Sequence, residues 1–299
     1  MKISFGPVTA VAIKEAKAGQ FVCGDRSRGK ARFFEFHDQE WFPSNLRDSV
    51  TEALQFILNL GHVYRPAIGT LYRAIAAAKA ERVVDLCSGG GGPWLWLCRL
   101  LAERDGHAMN VCLTDRFPNI SAFERAREKT QGQITFYPWP ANAASLPAEV
   151  SGFRTIFTSF HHFRPDEAVA VLQSAADEGQ GIGIFEAAKR HPWNILLTVL
   201  MPLGGLLTVP FVRPLRISRL FWTYVIPVIP FVLFFDGVVS CLRAYSQKEL
   251  RQMVAQVRAE NYAWEIGECR GGIAPVSYLV GYPKGATSME SALATDAGD

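Results

Sequence analysis

No C-x-x-C pair occurs among the six cysteines (Cys23, Cys87, Cys98, Cys112, Cys241 and Cys269), and no close pair of thiols or imidazoles is followed by a second at ligand spacing. That absence argues against a zinc module, and the sequence carries no expectation of a metal. Most of these cysteines lie in apolar runs, as reduced buried thiols do, which fits a reducing compartment. An excess of one charge is also missing. The net charge of +3 is too small to call for a nucleic-acid partner, and none is expected. Met1 to Gln20 has no long apolar core, so no secretory signal is expected. A hydrophobic share of 49% against 20% charged residues excludes global disorder. Only residues 285–299, small and acidic, read as a disordered tail. At 299 residues the chain can bury a sizeable core in one large domain or two small ones.

What is present centres on Val83-Val84-Asp85-Leu86-Cys87-Ser88-Gly89-Gly90-Gly91-Gly92-Pro93-Trp94. It reads as a buried strand, a glycine loop and a helix opened by Pro93, whose fixed φ suits a first helical turn. Consecutive glycines let the backbone turn sharply and approach a ligand closely, and a helix N-terminus follows with free N–H groups. A dinucleotide fingerprint needs a third small residue, and Trp94 occupies that position. A carboxylate, Asp85, precedes the glycines and suits a ligand with a cationic or hydroxyl-rich part. A second strand, Asn110 to Asp115, also ends in an acid, which can accept hydrogen bonds from ribose hydroxyls.

This arrangement resembles the D-x-x-x-G-x-G motif of Rossmann-like, class I S-adenosylmethionine-dependent methyltransferases, with Cys87 where that family more often has glycine. The resemblance spans about residues 65–190 and 240–284. It implies an α/β fold: a seven-stranded, mostly parallel sheet with helices on both faces and the last strand antiparallel. It implies S-adenosyl-L-methionine as cofactor, with Asp85, Cys87, Ser88, Gly89 and Gly91 shaping the donor site. Asp115 would hold ribose, with Arg116 and Ser159 beside the same site. In the family an acid–Ala pair before Leu-Pro contacts adenine; Asn142 and Ala143 stand there, and an Asn oxygen can still accept the bond.

A third strand is expected near 133–137, a fourth over Thr155–Phe160 and a fifth over Gly181–Glu186. The fourth leads into His161-His162-Phe163, which resembles a segment that many small-molecule methyltransferases, quinone methyltransferases among them, place beside the transferring methyl. His161, His162 and Glu186 are therefore the candidate catalytic residues, since imidazole can take a proton near neutral pH. Structural alternatives stand beside each: a satisfied core histidine, or a Glu186 salt bridge to Lys189 or Arg190. Ser246 and Glu249 form a capping box, and Tyr262–Cys269 with 275–282 reads as a terminal hairpin.

Upstream, Phe33 to Pro43 is dense in aromatics, either as core or as one wall of a cleft. Ser44 then has the character of an N-cap for a helix bearing Leu46, Val50, Ala53, Leu54 and Ile57 on one face. A second helix starts near Pro66, and the pair should cover the cofactor side of the sheet.

Residues 191–240 do not belong to the minimal fold. Pro192–Val212 and Leu220–Phe235 carry no charge except the arginines between them, Arg213, Arg216 and Arg219. A transmembrane hairpin would put these arginines on the wrong side, and prolines interrupt both segments. Two readings are preferred: an apolar lid over a hydrophobic substrate, or a device dipping into the lipid interface with arginines at anionic headgroups. Either makes the acceptor a hydrophobic small molecule or lipid. The remaining organisation is residues 1–64 as N-terminal extension and cap, 65–190 and 241–284 as core, and a cytoplasmic protein with peripheral contact at the inner face of a membrane through 192–235. Asp236 to Tyr245 reads as a substrate-side turn and helix start. The competing functions are a non-catalytic lipid-binding or scaffold protein on the same fold, and a nicotinamide-dependent reductase.

Overall fold

Residues 33–105 and 109–286 are described by the computed structural model. The sequence features noted in 1–30 and 287–299 lie outside them. Strand β1 (Arg82–Leu86) forms at the centre because four apolar or neutralised positions in a row can be buried on both faces. Alternation sends Val83 to one side and Val84 to the other. Val83 packs with Leu71, Trp94, Leu97, Phe123 and Phe153, from the face covered by α2 (Ile68–Ala77), α3 (Trp94–Asp105) and α4 (Ile120–Lys129). Val84 packs with Ile156, Val171, Leu172, Leu250 and Met253, from the face of α5 (Pro165–Asp177) and α9 (Gln247–Val254). Helices on both faces are what the sequence predicts.

The sheet is completed by β2 (Asn110–Leu113), β3 (Ile134–Phe136), β4 (Phe153–Phe157), β5 (Ile182–Glu186), β6 (Tyr262–Cys269) and β7 (Val276–Pro283). Its order is β3-β2-β1-β4-β5-β7-β6. The first five strands run parallel, while β7 lies antiparallel between β5 and β6. The order reverses at β1, so the crevice at the carboxyl ends of β1 and β4 is where open α/β sheets place ligands.

Helix α1 (Ser44–Leu60) lies over the glycine loop, as expected of a cap: Gln55 Nε2 donates to the Gly92 carbonyl at 2.8 Å and Asn59 Nδ2 at 3.2 Å. Ser44 does not cap it. Pro43 occupies the N-cap position, Ser44 is the first helical residue, and no side chain closes that end. The capping box at Ser246 and Glu249 forms as predicted.

The inserted segment folds as α6 (Pro192–Thr208), the short α7 (Ile217–Leu220) continued by a π-helical turn at Phe221–Val225, and α8 (Val228–Arg243). Helices α6 and α8 pack closely where side chains are missing: a Cβ on Gly205 would meet Leu233 at 2.9 Å, and one on Gly237 would meet Thr198 at 2.6 Å. Asp236 sits inside α8, not at a turn, and the helix runs through position 240. It propagates because Phe231 to Arg243 contains no proline, and its buried side faces α1 and α6.

Candidate functional site

The loop after β1 takes the backbone that four glycines allow. Gly89, Gly91 and Gly92 have φ of 54°, 107° and 56°, and the value at Gly91 is closed to ordinary side chains. Cys87 also lies in the left-handed region, with φ 56°. The turn is therefore the one glycine would give there, held with some strain. The Gly89 N–H donates to Asp115 Oδ2 at 2.7 Å, and the Phe117 N–H donates to Oδ1 at 2.8 Å. Each Asp115 oxygen accepts one of these bonds and has the capacity for another. Two predicted donor-site residues thus meet across the crevice.

Asp85 is 1% exposed at the floor. Thr155 Oγ1 donates to its Oδ1 at 2.7 Å, and its carbonyl accepts from Ser88 Oγ and from both the N–H and hydroxyl of Thr114. Burial pushes the Asp85 carboxyl up to about 6 despite stabilising dipoles from Thr155, Trp94 and Ser88. The Trp94 indole N–H makes no hydrogen bond of ordinary geometry, so its help is a nearby dipole rather than a formed bond. Ser88 is buried and fixes the loop by accepting from the Thr114 N–H at 3.2 Å.

The other predicted donor residues are spread more widely. Asn142 is exposed after β3, its Oδ1 accepting from the Ala144 N–H at 3.0 Å, and Ala143 is buried beneath it. Arg116 points to solvent and pairs with Glu40 at 2.8 Å. Ser159 follows β4 and donates to the Phe157 carbonyl.

Beyond β4 the structure gathers a buried polar cluster that the sequence reading saw only in part. Thr158, a β-branched residue at φ 45°, turns the chain into His161 and His162. Tyr64 donates to its hydroxyl oxygen at 2.6 Å, and the Ala187 N–H donates at 3.0 Å. His161 is 2% exposed, with Nδ1 2.7 Å from Glu186 Oε2, while the Phe160 N–H donates to Glu186 Oε1 at 2.9 Å. The salt-bridge alternative for Glu186 fails, since Lys189 pairs with Glu268 and Arg190 with Glu249. His162 Nδ1 lies 2.9 Å from Asp38.

Side chains that the sequence reading did not single out complete the cluster: Glu35, His37 and Asp38 from the aromatic stretch, and Asp236, Ser240 and Arg243 from α8. Glu35 is fully buried. Arg243 donates to Glu35 at 2.9 Å, to Asp38 at 3.1 Å and to the His162 carbonyl at 2.9 Å. His37 Nδ1 lies 2.7 Å from Asp236 Oδ2, and the Phe36 N–H donates to Asp236 Oδ1 at 2.8 Å. Burial alone would lower the His37 and His161 pKa values. The carboxylates outweigh it, raising His37 to about 9 through Asp236 and Glu35, and raising His161 through Glu186 and Glu35. Burial would likewise raise Glu35 and Asp38, but the imidazoles and Arg243 hold both below the usual carboxylate range. One signal for α8 was present in the sequence: spacing of four and seven puts Asp236, Ser240 and Arg243 on one helical face.

The insertion meets the core through a second buried pair. Arg219 is 0% exposed and donates to Glu52 Oε2 of α1 at 2.6 Å and to the Val212 carbonyl at 2.7 Å. Arg125 of α4 donates to the other Glu52 oxygen at 2.5 Å. Only Arg213 of the three inserted arginines is exposed, so the expectation that all three reach headgroups is corrected. Pro192–Phe211 is long and apolar enough to cross a membrane. The α8 half of the insertion is tied inward by Asp236 and Arg243. The outer face carries Leu196, Leu200, Leu203, Leu207, Ile217 and Phe231, all exposed.

Sheet order, antiparallel β7, the glycine loop and its Asp115 partner together define a Rossmann-like fold of the class I methyltransferase type. Solved structures with this fold are similar to the chain. The plantazolicin methyltransferase BpumL in complex with SAH aligns at TM-score 0.46 and 9% identity, over 80% of this chain and 96% of that one. PigF with SAH aligns at 0.45 and 15%, over 81% and 62%. The O-methyltransferase NcsB1 from neocarzinostatin biosynthesis, in complex with S-adenosylmethionine and 2-hydroxy-5-methyl naphthoic acid, aligns at 0.42 and 17%, over 75% and 56%. The chain thus spans roughly three fifths of PigF and NcsB1. No family model and no curated protein matches the sequence.

Proposed function

We propose that the protein transfers a methyl group from S-adenosyl-L-methionine to an oxygen, nitrogen or carbon of a hydrophobic small molecule or lipid-like acceptor. The observation that carries the proposal is the Gly89–Asp115 hydrogen bond, which sets an acid and a side-chain-free loop on either side of one crevice. The donor set suits that cofactor. Asp115 accepts from two ribose hydroxyls, the glycines admit the backbone to close approach, and Asn142 with Ala143 borders the adenine. Asp85 lies behind the loop, where a cationic ligand group returns it to its ionised form. When bound, the cofactor supplies an activated methyl on a leaving group that needs no protonation.

The chain's own work is then positioning and exclusion of water. His161, His162 and Glu186 line the acceptor side. Glu186 and Asp38 each fix one imidazole, so the rings hold one orientation toward a bound acceptor. The exposed face of α6 supports an apolar acceptor, which it can gather from a bilayer surface with Arg213 at the headgroups. Peripheral contact of this kind agrees with the inward anchoring of Arg219 and Asp236.

Incubation with donor carrying a radiolabelled methyl group and a cell extract tests this reading. Label is expected in the organic phase and should vanish with Asp115→Ala. Label confined to the aqueous phase would keep the methyltransferase and remove the apolar acceptor. Donor binding without transfer to any fraction would favour the non-catalytic binder.

A further inference from the structure

Glu35 is buried with three imidazoles around it, each 3.5 Å or more from its carboxylate. His37 Nε2 lies 3.7 Å from Oε2, His162 Nδ1 3.5 Å from Oε2, and His161 Nε2 3.8 Å from Oε1. Charged imidazole–carboxylate bonds close at about 2.7–2.9 Å. The same rings reach that distance elsewhere, His37 on Asp236 and His161 on Glu186, both at 2.7 Å. The gap around Glu35 is therefore not a general looseness of the cluster. Two ligands on one tetrahedral ion with bonds of about 2.1 Å stand about 3.4 Å apart, close to the spacing seen.

We propose that Glu35, His37 and His162 bind a single first-row divalent cation of the Zn2+ type. Their ligand atoms lie within 4.8 Å of one another. A second observation is independent of that grouping. His161 Nε2 is buried with no hydrogen-bond partner, on a side chain 1% exposed, and it faces the other edge of Glu35. A buried imidazole nitrogen without a partner marks a polar site left open beside Glu35. The outer carboxylates make the arrangement specific. Asp236 on His37 Nδ1 leaves Nε2 to face inward, as carboxylates behind metal-binding histidines do. Asp38, 2.9 Å from His162 Nδ1, is placed to join as an oxygen ligand.

Charge points the same way. Glu35, Asp38, Glu186 and Asp236 surround the site, and Arg243 is the guanidinium that opposes them. Arg243 binds the Oε1 edge of Glu35, while Oε2, which accepts from Ser240 Oγ at 3.2 Å, faces the two histidines. Two imidazole nitrogens with carboxylate oxygen favour Zn2+, Fe2+ or Co2+ over Mg2+ and Ca2+. The sequence expectation of no metal rested on spacing along the chain. Here one ligand comes from after β4 and two from the segment before α1, so no local motif exists.

Resting on the methyl-transfer reading, the ion has a use. An acceptor hydroxyl bound to it would lose its proton to solvent more readily. The oxygen's electron pair then forms the O–CH3 bond while the S–CH3 bond breaks, its electrons staying on sulfur.

Full-length protein stripped with chelator and titrated with Zn2+, Co2+ and Mg2+ tests the site. One Zn2+ per chain should survive dialysis, with Mg2+ not competing, and Co2+ should give visible bands of a nitrogen–oxygen environment. Glu35→Gln and His37→Ala should abolish this binding. Asp236→Asn, a positioning change, should weaken it about 10–100-fold. Absence of stoichiometric Zn2+ and of Co2+ bands in the wild-type chain would overturn the proposal, whatever the variants do. So would undiminished binding in folded Glu35→Gln protein. SAH binding, followed separately by calorimetry, distinguishes the two ideas: donor binding without metal removes only the ion, and metal without donor binding removes only the methyl-transfer reading.

Discussion

The backbone N–H of Gly89 and the carboxylate of Asp115 are joined at 2.7 Å across the carboxyl ends of β1 and β2. This bond orients the acid whether or not a ligand is present. In the proposed donor site, Asp115→Ala removes the charged acceptor for two hydroxyls, each worth about 1.5–3 kcal/mol. Calorimetry with SAH should show affinity lower by about a hundredfold or more, with a modest fall in melting temperature because the Gly89 and Phe117 N–H groups lose their acceptor.

Asp85 predicts a pH-dependent stability of definite sign. Its carboxyl is raised to about 6 in the fold from an ordinary 3.8. Between those values the folded state holds more protons than the unfolded, so stability is lost as pH rises through that window. Above it the deficit is about 3 kcal/mol. Asp85→Asn should therefore melt higher than wild type at pH 7.5, converge with it near pH 4, and bind donor more weakly. A thermal-denaturation series in pH checks all three.

Glu52 holds the insertion to the core. Glu52→Gln leaves the guanidinium of Arg219, 0% exposed, without its counter-charge. Breaking such a pair costs about 3–5 kcal/mol. Chemical denaturation should show that loss, and Glu52→Leu combined with Arg219→Met should recover a substantial part of it.

The outer face of α6 should meet lipid. Leu203→Asp with Leu207→Asp places two charges on a surface that contributes nothing to the core, since both residues are exposed. Flotation on anionic liposomes should fall sharply while the melting temperature stays within about 1–2 °C, given surface effects of about 0.5 kcal/mol. Flotation equal to wild type would remove the membrane contact and leave a lid.

The donor half of the proposed site was legible because its signals are local. Asp85, the glycines and Pro93 are contiguous, and strand-ending acids announce themselves one at a time. The proposed acceptor half was only partly legible. His161 and His162 stood out as a pair, and Glu186 as a strand-ending acid. The stretch holding Glu35, His37 and Asp38 read as aromatic core or a cleft wall, with no role for its charged residues, because Phe33, Phe34, Phe36, Trp41 and Phe42 dominate it.

By itself the sequence determined the alternation of buried strands and amphipathic helices, the glycine turn at β1 and the antiparallel end of the sheet. Periodicity and backbone freedom act over a few residues, so the chain states them directly. Tertiary structure alone decided that Arg219 turns inward to Glu52, that Asp236 and Arg243 enter the site from α8, and that three imidazoles converge on Glu35. Those outcomes depend on pairing charges some 125 to 210 positions apart in the dry space between the helices and the sheet edge. A buried charge must find a partner wherever the fold brings one, and no pattern along the chain encodes which it will be.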